Sequence, residues 1–581
     1  MRTLYFKILP KAKLFPDPKK DEIEMIAAYG DTLKIFEGEE RSIIENFVRY
    51  FREYDPERVI GFKQDYEDFP YLKERGEKYG IGMSLGKNGE EIKLSGKYFR
   101  GIILKRTKIE GRENIDLFAI AWRDFARLPT KEIDELADAL NIKFERFPQF
   151  KLMERSKDER KKYLDNYVNV IKRIAEEIIP FEESISELCQ VPLEEQIRMT
   201  VGELVDIIVV REMKKRGIEK IRVGGQKWYE GGYVWLKSPG VYEKVVYLDF
   251  QSMYPNIIRA WNISPETVDI NDGEEVEVEG EKHRIRKEIK GVIPSIIENF
   301  LEKRLRIKDK LREKYDKRLD AQQRAIKVIT NAMYGYMGWS GATYYNRNAA
   351  RLIAALARYY IKEVRKIIEN LGGKVIYIDT DGIQFVGGEV NKIVEVINER
   401  FPLNIEIERI ADKAVYWAKK KYAHLVNGKV EAVGLEYIRK DYPSIIKRAQ
   451  KEIVEYLLKG EVNKARETRI KYRNKIKERN VEIDELAIVE QLTKKPEEYE
   501  KITKASMVAK ILKEKMGIEL HRGTYVYLVI VKGSRGPTYR ARPVELTKID
   551  EVDLDYYLKM YDDTIKRTFE AFNVSITKQW F

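Results

Sequence analysis

The chain has 581 residues, of which 43% are hydrophobic and 35% charged, so one hydrophobic core is excluded and three to five domains or subdomains are expected. A membrane span is not expected because the sequence has no run of eighteen apolar residues, and the single cysteine, Cys189, excludes an internal disulfide and a cysteine-ligated metal cluster. The formal net charge of +13 favours a polyanionic partner such as nucleic acid, although many Lys and Glu residues are also typical of hyperthermophile proteins.

The order of apolar and polar residues predicts the elements along the chain. Short apolar strands alternate with charged helices up to about residue 145, which is typical of an α/β domain. Helical spacing follows from about 155 to 217, and the glycine- and aromatic-rich segment 221–240 predicts a linker between lobes. A long charged helical stretch is predicted from 293 to 337, and a helical, basic region with strands near 524–533 follows residue 437. The charged N-terminus does not resemble a secretory signal, so a cytoplasmic location is expected.

The segment "VVYLDFQSMYPNII" combines a strand and a carboxylate. The apolar strand 245–248 leads directly into Asp249, and residues 252–255 predict a turn into a helix with Pro255 near its first position. A carboxylate at the end of a buried strand is costly unless something pairs with it. A strand-end carboxylate beside a helix N-terminus suits a bound cation together with a bound phosphate.

A second carboxylate follows 132 residues later, in "KVIYIDTDGIQFV" (374–386). Asp-Gly between two apolar runs predicts a hairpin with its acids at the tip, although such residues are common in ordinary turns. If both strands belong to one sheet, Asp249 and Asp381 converge. Two carboxylates and phosphate oxygens suit Mg²⁺, and two ions about 3.5–4 Å apart would stabilise the attacking and leaving oxygens of a phosphoryl displacement.

The predicted helical stretch supplies cations for a triphosphate. Arg304 and Lys308 are four residues apart, a spacing that is also typical of a solvated surface. Lys327, Asn331 and Tyr334 lie on one helix face with Gln323. Tyr334 and the adjacent Gly335 suit a flat platform for a base pair.

These motifs closely resemble those of the family B (polymerase alpha-like) DNA polymerases, above all the archaeal members. "DFQSMYPNII" resembles the family's motif A, "KVITNAMYG" its motif B and "YIDTDG" its motif C. "YEGG" resembles the loop between the exonuclease and polymerase modules, "KKKYAHL" the lysine-rich palm motif that contacts primer-template DNA, and "GLEYIRKDY" the segment before the thumb. The similarity extends from about residue 50 to the C-terminus.

The resemblance implies a multidomain fold of the α/β and α+β classes, with a ribonuclease H-like exonuclease-type domain and a right-hand polymerase. The implied domains are a degenerate 3′–5′ exonuclease-like domain (1–220), a linker and the first part of the palm (221–290), the fingers helices (291–338), the second part of the palm (339–436) and the thumb (437–581).

The resemblance also assigns a role to each matching position, with primer-template DNA and dNTPs as partners. Two Mg²⁺ ions are implied at Asp249, Asp381 and the main-chain carbonyl of Phe250, with Asp379 as a nearby catalytic acid and Glu436 as a further candidate. The implied dNTP-binding residues are Ser252 and Met253 through their main-chain amides, Tyr254 as a steric gate against ribose, and Arg304, Lys308, Lys327 and Asn331. The implied DNA-binding residues are Tyr229, Gly231, Gly232, Tyr334, Gly335, Lys420, Lys421 and Tyr422.

The acids of a 3′–5′ exonuclease are largely missing. Lys7 and Leu9 occupy the acid positions of the first motif, and Tyr167 that of the third, in which Tyr163 is kept. The second motif keeps Asp68, although Lys63 replaces its asparagine. A lysine at position 7 would repel Mg²⁺ in a low-dielectric pocket, so no proofreading is expected. Asp68 is expected to be a solvated loop acid.

Two further expectations concern the ends of the chain. The exonuclease-like strand lies almost at residue 1, so an N-terminal domain that senses template uracil is not expected. The chain thus resembles a short, exonuclease-degenerate archaeal branch suited to bypass or repair. At the other end, Ile576, Trp580 and Phe581 loosely resemble a clamp-binding tail, which makes a sliding clamp a candidate partner; packing of Trp580 against the thumb is the alternative.

Three functions remain open from the sequence. The first is an active DNA-directed DNA polymerase without proofreading. The second is a catalytically silent relative that acts as a DNA-binding or assembly subunit, against which the presence of Asp249, Asp381 and Lys327 argues. The third is a polymerase that uses ribonucleotides or an RNA template, and Tyr254 argues against ribonucleotide use.

Overall fold

The fold is described from a computed structural model. It describes residues 1–12, 16–99, 102–126, 128, 130–144, 146–147, 149–224, 228–269, 273–439 and 441–575. The predicted clamp-binding residues Ile576, Trp580 and Phe581 lie outside the described residues.

The β-strands are found along the whole described chain. In chain order they are β1 (Thr3–Pro10), β2 (Ile23–Tyr29), β3 (Leu33–Glu37), β4 (Arg58–Gly61), β5 (Lys93–Phe99), β6 (Ile102–Lys108), β7 (Glu113–Asp116), β8 (Arg222–Val223), β9 (Val234–Leu236), β10 (Gly240–Phe250), β11 (Glu274–Val278), β12 (Glu281–Ile285), β13 (Tyr345–Asn346), β14 (Lys374–Asp379), β15 (Gly382–Val386), β16 (Ile405–Ala418), β17 (Lys421–Val426), β18 (Lys429–Val433), β19 (Ile488–Gln491), β20 (Tyr525–Ile530) and β21 (Ala541–Pro543).

The α-helices lie between these strands, singly or in runs. In chain order they are α1 (Glu40–Tyr54), α2 (Asp68–Lys78), α3 (Leu117–Asp124), α4 (Ile133–Ala139), α5 (Gln149–Met153), α6 (Lys157–Cys189), α7 (Leu193–Gln196), α8 (Val201–Lys215), α9 (Met253–Ala260), α10 (Val292–Glu313), α11 (Lys317–Gly338), α12 (Arg347–Asn370), α13 (Val390–Arg400), α14 (Ser444–Leu458), α15 (Val462–Lys477), α16 (Lys504–Met516) and α17 (Leu554–Ala571).

The described chain forms two compact units. The first combines Met1–Met199 with Ala487–Asp553, and the second combines Thr200–Leu486 with the segment that begins at Leu554. Part of the region assigned to the thumb thus belongs to the first unit. The finer domain boundaries of the sequence analysis stay a prediction.

The first unit is built on a mixed five-stranded sheet with the strand order β3-β2-β1-β4-β7. Its central strand β1 runs antiparallel to β2 and parallel to β4. Because side chains alternate along a strand, Leu4, Phe6 and Ile8 pack in the cluster that contains the apolar face of α1. Lys7 points to the opposite face, where the ring of Tyr167 on α6 lies 5.6 Å from its Nζ. The side chain of Lys7, which the sequence analysis aligned with an exonuclease acid, therefore lies on the face of the sheet that α6 covers.

The second unit is built on a seven-stranded sheet with the order β18-β17-β16-β10-β15-β14-β9, and neighbouring strands run antiparallel. Strand β10 lies between β16 and β15, and its residues 245–248 are buried. The predicted linker 221–240 contributes the short edge strand β9 to this sheet. The sheet is therefore what brings the strand before Asp249 beside the hairpin that carries Asp381.

The predicted helical stretch 293–337 consists of the two packed helices α10 and α11. They are separated at residues 314–316, where Asp316 caps the start of α11 by accepting a hydrogen bond from the Leu319 amide. The hairpin predicted between residues 374 and 387 is confirmed as β14 and β15. No helix in the described part of the chain is long and apolar enough to cross a membrane.

Candidate active site

Asp249 and Asp381 meet at one edge of the seven-stranded sheet. Asp249 pairs with Gly382 in the antiparallel register of β10 and β15. A Cβ atom placed on Gly382 would lie 3.6 Å from Oδ1 of Asp249, so this carboxylate faces the start of β15. The amide of Phe250 donates a hydrogen bond to the carbonyl oxygen of Asp381 (3.2 Å). The sequence-based expectation that both acids belong to one sheet is thus confirmed.

The hairpin turn lies one residue earlier than the Asp-Gly signal suggests. Asp379 pairs with Gly382, so Thr380 and Asp381 form the two-residue turn and Gly382 begins β15. Thr380 has a φ of +64°, which is unfavourable for a β-branched residue. Its amide donates to the carbonyl oxygen of Tyr233 (2.9 Å), and this bond with the Phe250–Asp381 bond fixes the tip. Backbone strain held by surrounding contacts is a feature of functional sites.

The electrostatic environment disfavours negative charge on both acids. Burial, the charge of Asp381 and the charge of Glu408 raise the pKa of Asp249 to about 7, and Lys327 opposes this effect. Burial also raises the pKa of Asp381, with contributions from Asp379 and Glu408. Two half-buried carboxylates that repel each other need a neutralising cation.

The donor set at this edge fits a hard divalent cation. Asp249 and Asp381 supply carboxylate oxygens, and Mg²⁺ prefers one or two carboxylates while it keeps water or phosphate oxygens as its other ligands. No group of three or more His, Cys, Asp or Glu side chains that could hold a metal ion occurs among the described residues. The repulsion between the two carboxylates and their oxygen ligands therefore both favour a divalent cation at this edge.

The main chain after Asp249 turns directly into α9. Helix α9 begins at Met253, so Pro255 is its third residue, and Ser252 precedes the helix with a φ of +54°. No side chain of the described residues caps this N-terminus. Free amides at a helix N-terminus bind anions, so the predicted phosphate-binding amides of Ser252 and Met253 are available.

The predicted cations of the fingers helices lie on α10 and α11. Arg304 and Lys308 lie on α10; Nε of Arg304 donates a hydrogen bond to Oε1 of Gln323 on α11 (3.2 Å). Lys327 and Asn331 are exposed on α11, and the charge of Lys327 acts on Asp249. The side chain expected to bind triphosphate is thus electrostatically coupled to the carboxylate expected to bind metal.

Tyr254 and Tyr334 form a stacked pair. Their ring centroids lie 4.4 Å apart with an interplanar angle of 13°. Burial, followed by the charge of Asp381, raises the pKa of Tyr254 to about 12, so the phenol is neutral at physiological pH. The hydroxyl of Tyr334 makes a side-chain hydrogen bond with Tyr229. Tyr254, the predicted gate residue, is therefore stacked on an aromatic residue of the segment that resembles motif B.

The loop from Tyr229 to Gly232 packs against the catalytic hairpin. A Cβ atom on Gly232 would lie 2.7 Å from Cγ2 and 2.8 Å from Oγ1 of Thr380, so this position requires a glycine. The corresponding positions on Gly231 and Gly335 have no heavy atom of the described residues within 4 Å, which leaves room for a ligand. The DNA-binding roles of Tyr229, Gly231, Gly232, Tyr334 and Gly335 stay a prediction.

The lysine-rich palm motif reaches the same acids. Nζ of Lys420 pairs with Asp379, and the main-chain amide of Lys420 donates a hydrogen bond to the hydroxyl of Tyr377 (3.0 Å). Lys421 pairs with the buried Glu436 at 2.6 Å. Burial alone would raise the pKa of Glu436, but hydrogen bonds from Gln450 and Lys421 outweigh it and lower the pKa.

Asp379 differs from Asp249 and Asp381 in having a lysine as its ion-pair partner. Asp379 is neutralised by Lys420, whereas Asp249 and Asp381 remain the acids with raised pKa values. Tyr422 stacks on His424 and contacts Tyr377, which places it beside the strand of Asp379. The assignments of Lys420, Lys421, Tyr422 and Glu436 stay predictions.

Two acids near the site were not identified from the sequence. Glu406 on β16 lies opposite Asp249, and Glu408 occupies an irregularity in the β10–β16 register. The charge of Glu408 raises the pKa of both Asp249 and Asp381. The segment "IEIERI" carries acids in a strand pattern, and this was the available signal. This pattern did not predict that Glu408 lies near Asp249, because a β-bulge changes the direction of side chains and residue spacing does not reveal a bulge.

The predicted exonuclease positions also come together, but around a lysine. Nζ of Lys7 lies 3.2 Å from Asp68 and 2.9 Å from Glu67, and it faces the ring of Tyr167. Burial alone would lower the pKa of Lys7, but Asp68 and Glu67 outweigh it and raise the pKa well above its usual value. An ammonium group therefore lies where the sequence comparison expected an acid.

The expectation that Asp68 is a solvated loop acid was wrong. Asp68 is the first residue of α2, its side chain is 0% exposed, and it accepts a hydrogen bond from the amide of Ile8 (3.3 Å). The other predicted positions are also occupied by structural contacts. Leu9 is buried, Tyr163 stacks on Phe144, and Nζ of Lys63 pairs with Glu132 at 2.6 Å.

Sequence comparison assigns the chain to a family. The sequence profile described as "DNA polymerase family B" matches residues 199–572, and that described as "DNA polymerase family B, exonuclease domain" matches residues 25–130. The chain therefore belongs to DNA polymerase family B. This is a family of DNA-directed DNA polymerases, which act on primer-template DNA and dNTPs and use divalent metal ions.

Individual relatives agree with this assignment. The chain is 34% identical to a DNA polymerase of Archaeoglobus fulgidus over 94% of this chain and 73% of the relative. It is 32% identical to DNA polymerase 2 of Aeropyrum pernix over 96% of this chain and 72% of the relative. The solved family B DNA polymerase of Pyrobaculum calidifontis aligns with a TM-score of 0.80 at 28% identity, over 99% of this chain and 78% of that chain. The mixed α/β multidomain fold predicted from the sequence is thus confirmed.

Replacement of Asp249 by Asn should stabilise the metal-free protein. The folded state raises the pKa of Asp249 from 3.8 to about 7, so the wild-type protein loses stability as the pH rises from 3.8 to about 7, because in that range the folded state holds a proton that the unfolded state has released. In EDTA at pH 8, Asp249→Asn should raise the melting temperature by about 2–4 °C, and by less at pH 5. Asp412→Asn, at a side chain that is 54% exposed, is the control. A lower melting temperature at pH 8 would contradict the repulsion.

Proposed function

We propose that the chain extends a primer 3′ end on a DNA template by two-metal nucleotidyl transfer. The observation that supports this most directly is the convergence of Asp249 and Asp381 beside the N-terminus of α9. Asp249, Asp381 and the carbonyl of Phe250 would hold two Mg²⁺ ions. When bound, these ions lower the pKa of the primer 3′-hydroxyl and stabilise the charge on the pyrophosphate leaving group.

The residues of the chain position the dNTP for this reaction. The amides of Ser252 and Met253 bind phosphate oxygens at the N-terminus of α9. Arg304, Lys308 and Lys327 neutralise the triphosphate, and Asn331 donates hydrogen bonds to it. Base pairing with the template selects the base, so the protein needs shape and backbone contacts rather than base-specific ones, which suits a diffuse net charge of +13.

Tyr254 excludes ribonucleotides in this proposal. Its ring would occupy the space that a ribose 2′-hydroxyl needs, and the stack with Tyr334 holds the ring in place. A ring fixed by a parallel neighbour 4.4 Å away cannot rotate without losing that contact, so the gate is rigid.

Loss of Asp381 should abolish primer extension. Asp381→Ala should lower the single-turnover rate with Mg²⁺ and dNTPs by about a thousandfold or more, because the second carboxylate of the metal site is lost. The matched control Asp412→Ala removes an exposed acid of the same sheet and should extend normally.

The same assay tests the alternative of a catalytically silent DNA-binding subunit. That alternative predicts DNA binding without extension by the wild-type chain. Extension that survives Asp381→Ala would instead show that the catalytic acids lie elsewhere.

Replacement of Tyr254 by Ala should relax sugar selection. We expect the preference for dNTP over rNTP, measured as the ratio of kcat/KM values, to fall by about 10- to 100-fold. Tyr456→Ala, at a half-buried tyrosine on α14 in the same unit, serves as a comparison and should leave the ratio unchanged. An unchanged ratio for Tyr254→Ala would mean that another group contacts the 2′-position.

We propose further that the exonuclease-like domain does not proofread. Asp68 is the remaining acid of the four that the family motifs require, and it is paired with Lys7. A cation that already neutralises Asp68 from a buried position would have to leave before Mg²⁺ could bind, at a cost of several kcal/mol. Without removal of mismatches, the polymerase suits repair or translesion synthesis better than bulk replication.

A labelled primer with a mismatched 3′ end should remain at full length when incubated with Mg²⁺ in the absence of dNTPs. When dNTPs are added, the mismatched end should be extended without prior removal. Abasic and uracil-containing templates should then be read past the lesion, with the products distinguished by length. Shortened primers in the first incubation would show that acids outside the predicted positions bind metal.

A further inference from the structure

A two-stranded hairpin between motifs A and B carries a carboxylate at its tip. Strands β11 and β12 are joined by Glu279 and Gly280, which have φ angles of +52° and +81°. Such a turn favours Asn, Asp or Gly at its first position, so the turn itself does not account for Glu279. The Glu279 side chain is only 21% exposed because it is directed towards α12.

The carboxylate of Glu279 pairs with two cations that are one helical turn apart on α12. Oε2 lies 2.6 Å from Nη2 of Arg358 and accepts a hydrogen bond from its Nε (2.7 Å). Oε1 accepts a hydrogen bond from Nζ of Lys362 (2.6 Å). Arg358 is buried, so this pairing compensates a charge that water does not reach.

Both cations also contact the loop of the polymerase site. Nη1 of Arg358 donates hydrogen bonds to the carbonyl oxygens of Glu230 and Gly231, the second at 3.0 Å. Nζ of Lys362 lies 5.4 Å from the centre of the Tyr233 ring. These contacts cover the segment from Glu230 to Tyr233 from one side.

The other side of that segment rests on the catalytic hairpin. Gly232 packs so closely on Thr380 that a Cβ atom would overlap the threonine side chain. The carbonyl oxygen of Tyr233 accepts a hydrogen bond from the amide of Thr380. Thr380 lies between Asp379 and Asp381. A continuous set of contacts therefore leads from Glu279 through Arg358 and the loop to the turn that carries Asp381.

We propose that Glu279 is a positioning residue for the polymerase reaction, which fixes the Glu230–Tyr233 loop and the Asp381 turn through Arg358 and Lys362. The inference rests on the polymerase site proposed above and adds a residue outside all of its motifs. Without Glu279, the buried Arg358 guanidinium would lose its closest anion and would move towards another acceptor. The carboxylate of Glu230, 3.8 Å from Nε of Arg358, is the nearest alternative, and a move towards it would release the loop carbonyls.

The test compares Glu279→Ala, Glu279→Gln and Glu279→Asp with the wild-type chain. Glu279→Ala should weaken binding of a dideoxy-terminated primer-template and lower the maximal extension rate by about tenfold each, with the apparent Kd for dNTP within about twofold of wild type. Glu279→Gln keeps the size of the side chain and should show the same defects more weakly, whereas Glu279→Asp should restore part of the activity. Glu277→Ala, at an exposed acid of the same hairpin, is the matched control and should behave as wild type.

Hydrogen exchange and a double-mutant comparison test the route of the effect. Amide exchange of residues 229–233 should become faster in Glu279→Ala and not in Glu277→Ala. In a chain that carries Arg358→Met and Lys362→Met, Glu279→Ala should have little further effect, because its partners are absent. Additive effects would overturn the proposed route.

The outcomes also separate this inference from the proposed function. A lower melting temperature with unchanged DNA binding and extension rate would mean that Glu279 is only structural and would overturn the inference. If the wild-type chain does not extend primers at all, the proposed function fails, while DNA binding and hydrogen exchange still decide whether Glu279 positions the loop.

Discussion

The polymerase site depends on the repulsion between Asp249 and Asp381. The apolar residues of β10 and the β14–β15 hairpin form the buried sheet, and pairing of Asp249 with Gly382 brings the two acids together at its edge. Their raised pKa values show that the folded protein does not compensate these charges by itself. The fold thus leaves negative charge at this edge that divalent ions can neutralise. The repulsion lowers the stability of the metal-free protein and favours the binding of cations.

The first unit shows buried negative charge of the same kind that is partly compensated internally: burial raises the pKa of Asp68 to about 6, and the charge of Lys7 opposes this effect. The side chain of Asp68 is fully buried, and the ammonium group of Lys7 on β1 lies beside its carboxylate. A lysine on that face of β1 does not disturb the fold, because Leu4, Phe6 and Ile8 form the apolar core on the other face. The sheet of this unit therefore does not depend on the residue at position 7, since the residues that form its core and the residues of the opposite face alternate along one strand.

The geometry of the candidate site was largely predictable because its parts are local in sequence. Strand, acid and helix start follow one another from 245 to 254, and the hairpin of Asp381 has its own turn signal, so only the pairing of the two segments had to be assumed. The Asp-Gly signal placed the acids at the tip but did not fix the exact turn residues, because the Phe250–Asp381 and Tyr233–Thr380 hydrogen bonds that hold the turn come from distant segments. Asp68 was misjudged for a similar reason: its contacts with Lys7 and Ile8 come from β1, which lies about 60 residues away along the chain.

The same distinction explains why Glu408 and Glu279 could not be identified from the sequence. Glu408 reaches the aspartates because the β10–β16 register is irregular at that point, and a register shift leaves no trace in residue spacing. Glu279 acts on a cation 79 residues away, and a buried guanidinium such as that of Arg358 can be neutralised from any element that packs against it. Metal and phosphate ligands must have a fixed geometry and so form motifs. A charge that neutralises a buried ion only has to lie close to that ion, so its position leaves no sequence motif and is seen only in the structure.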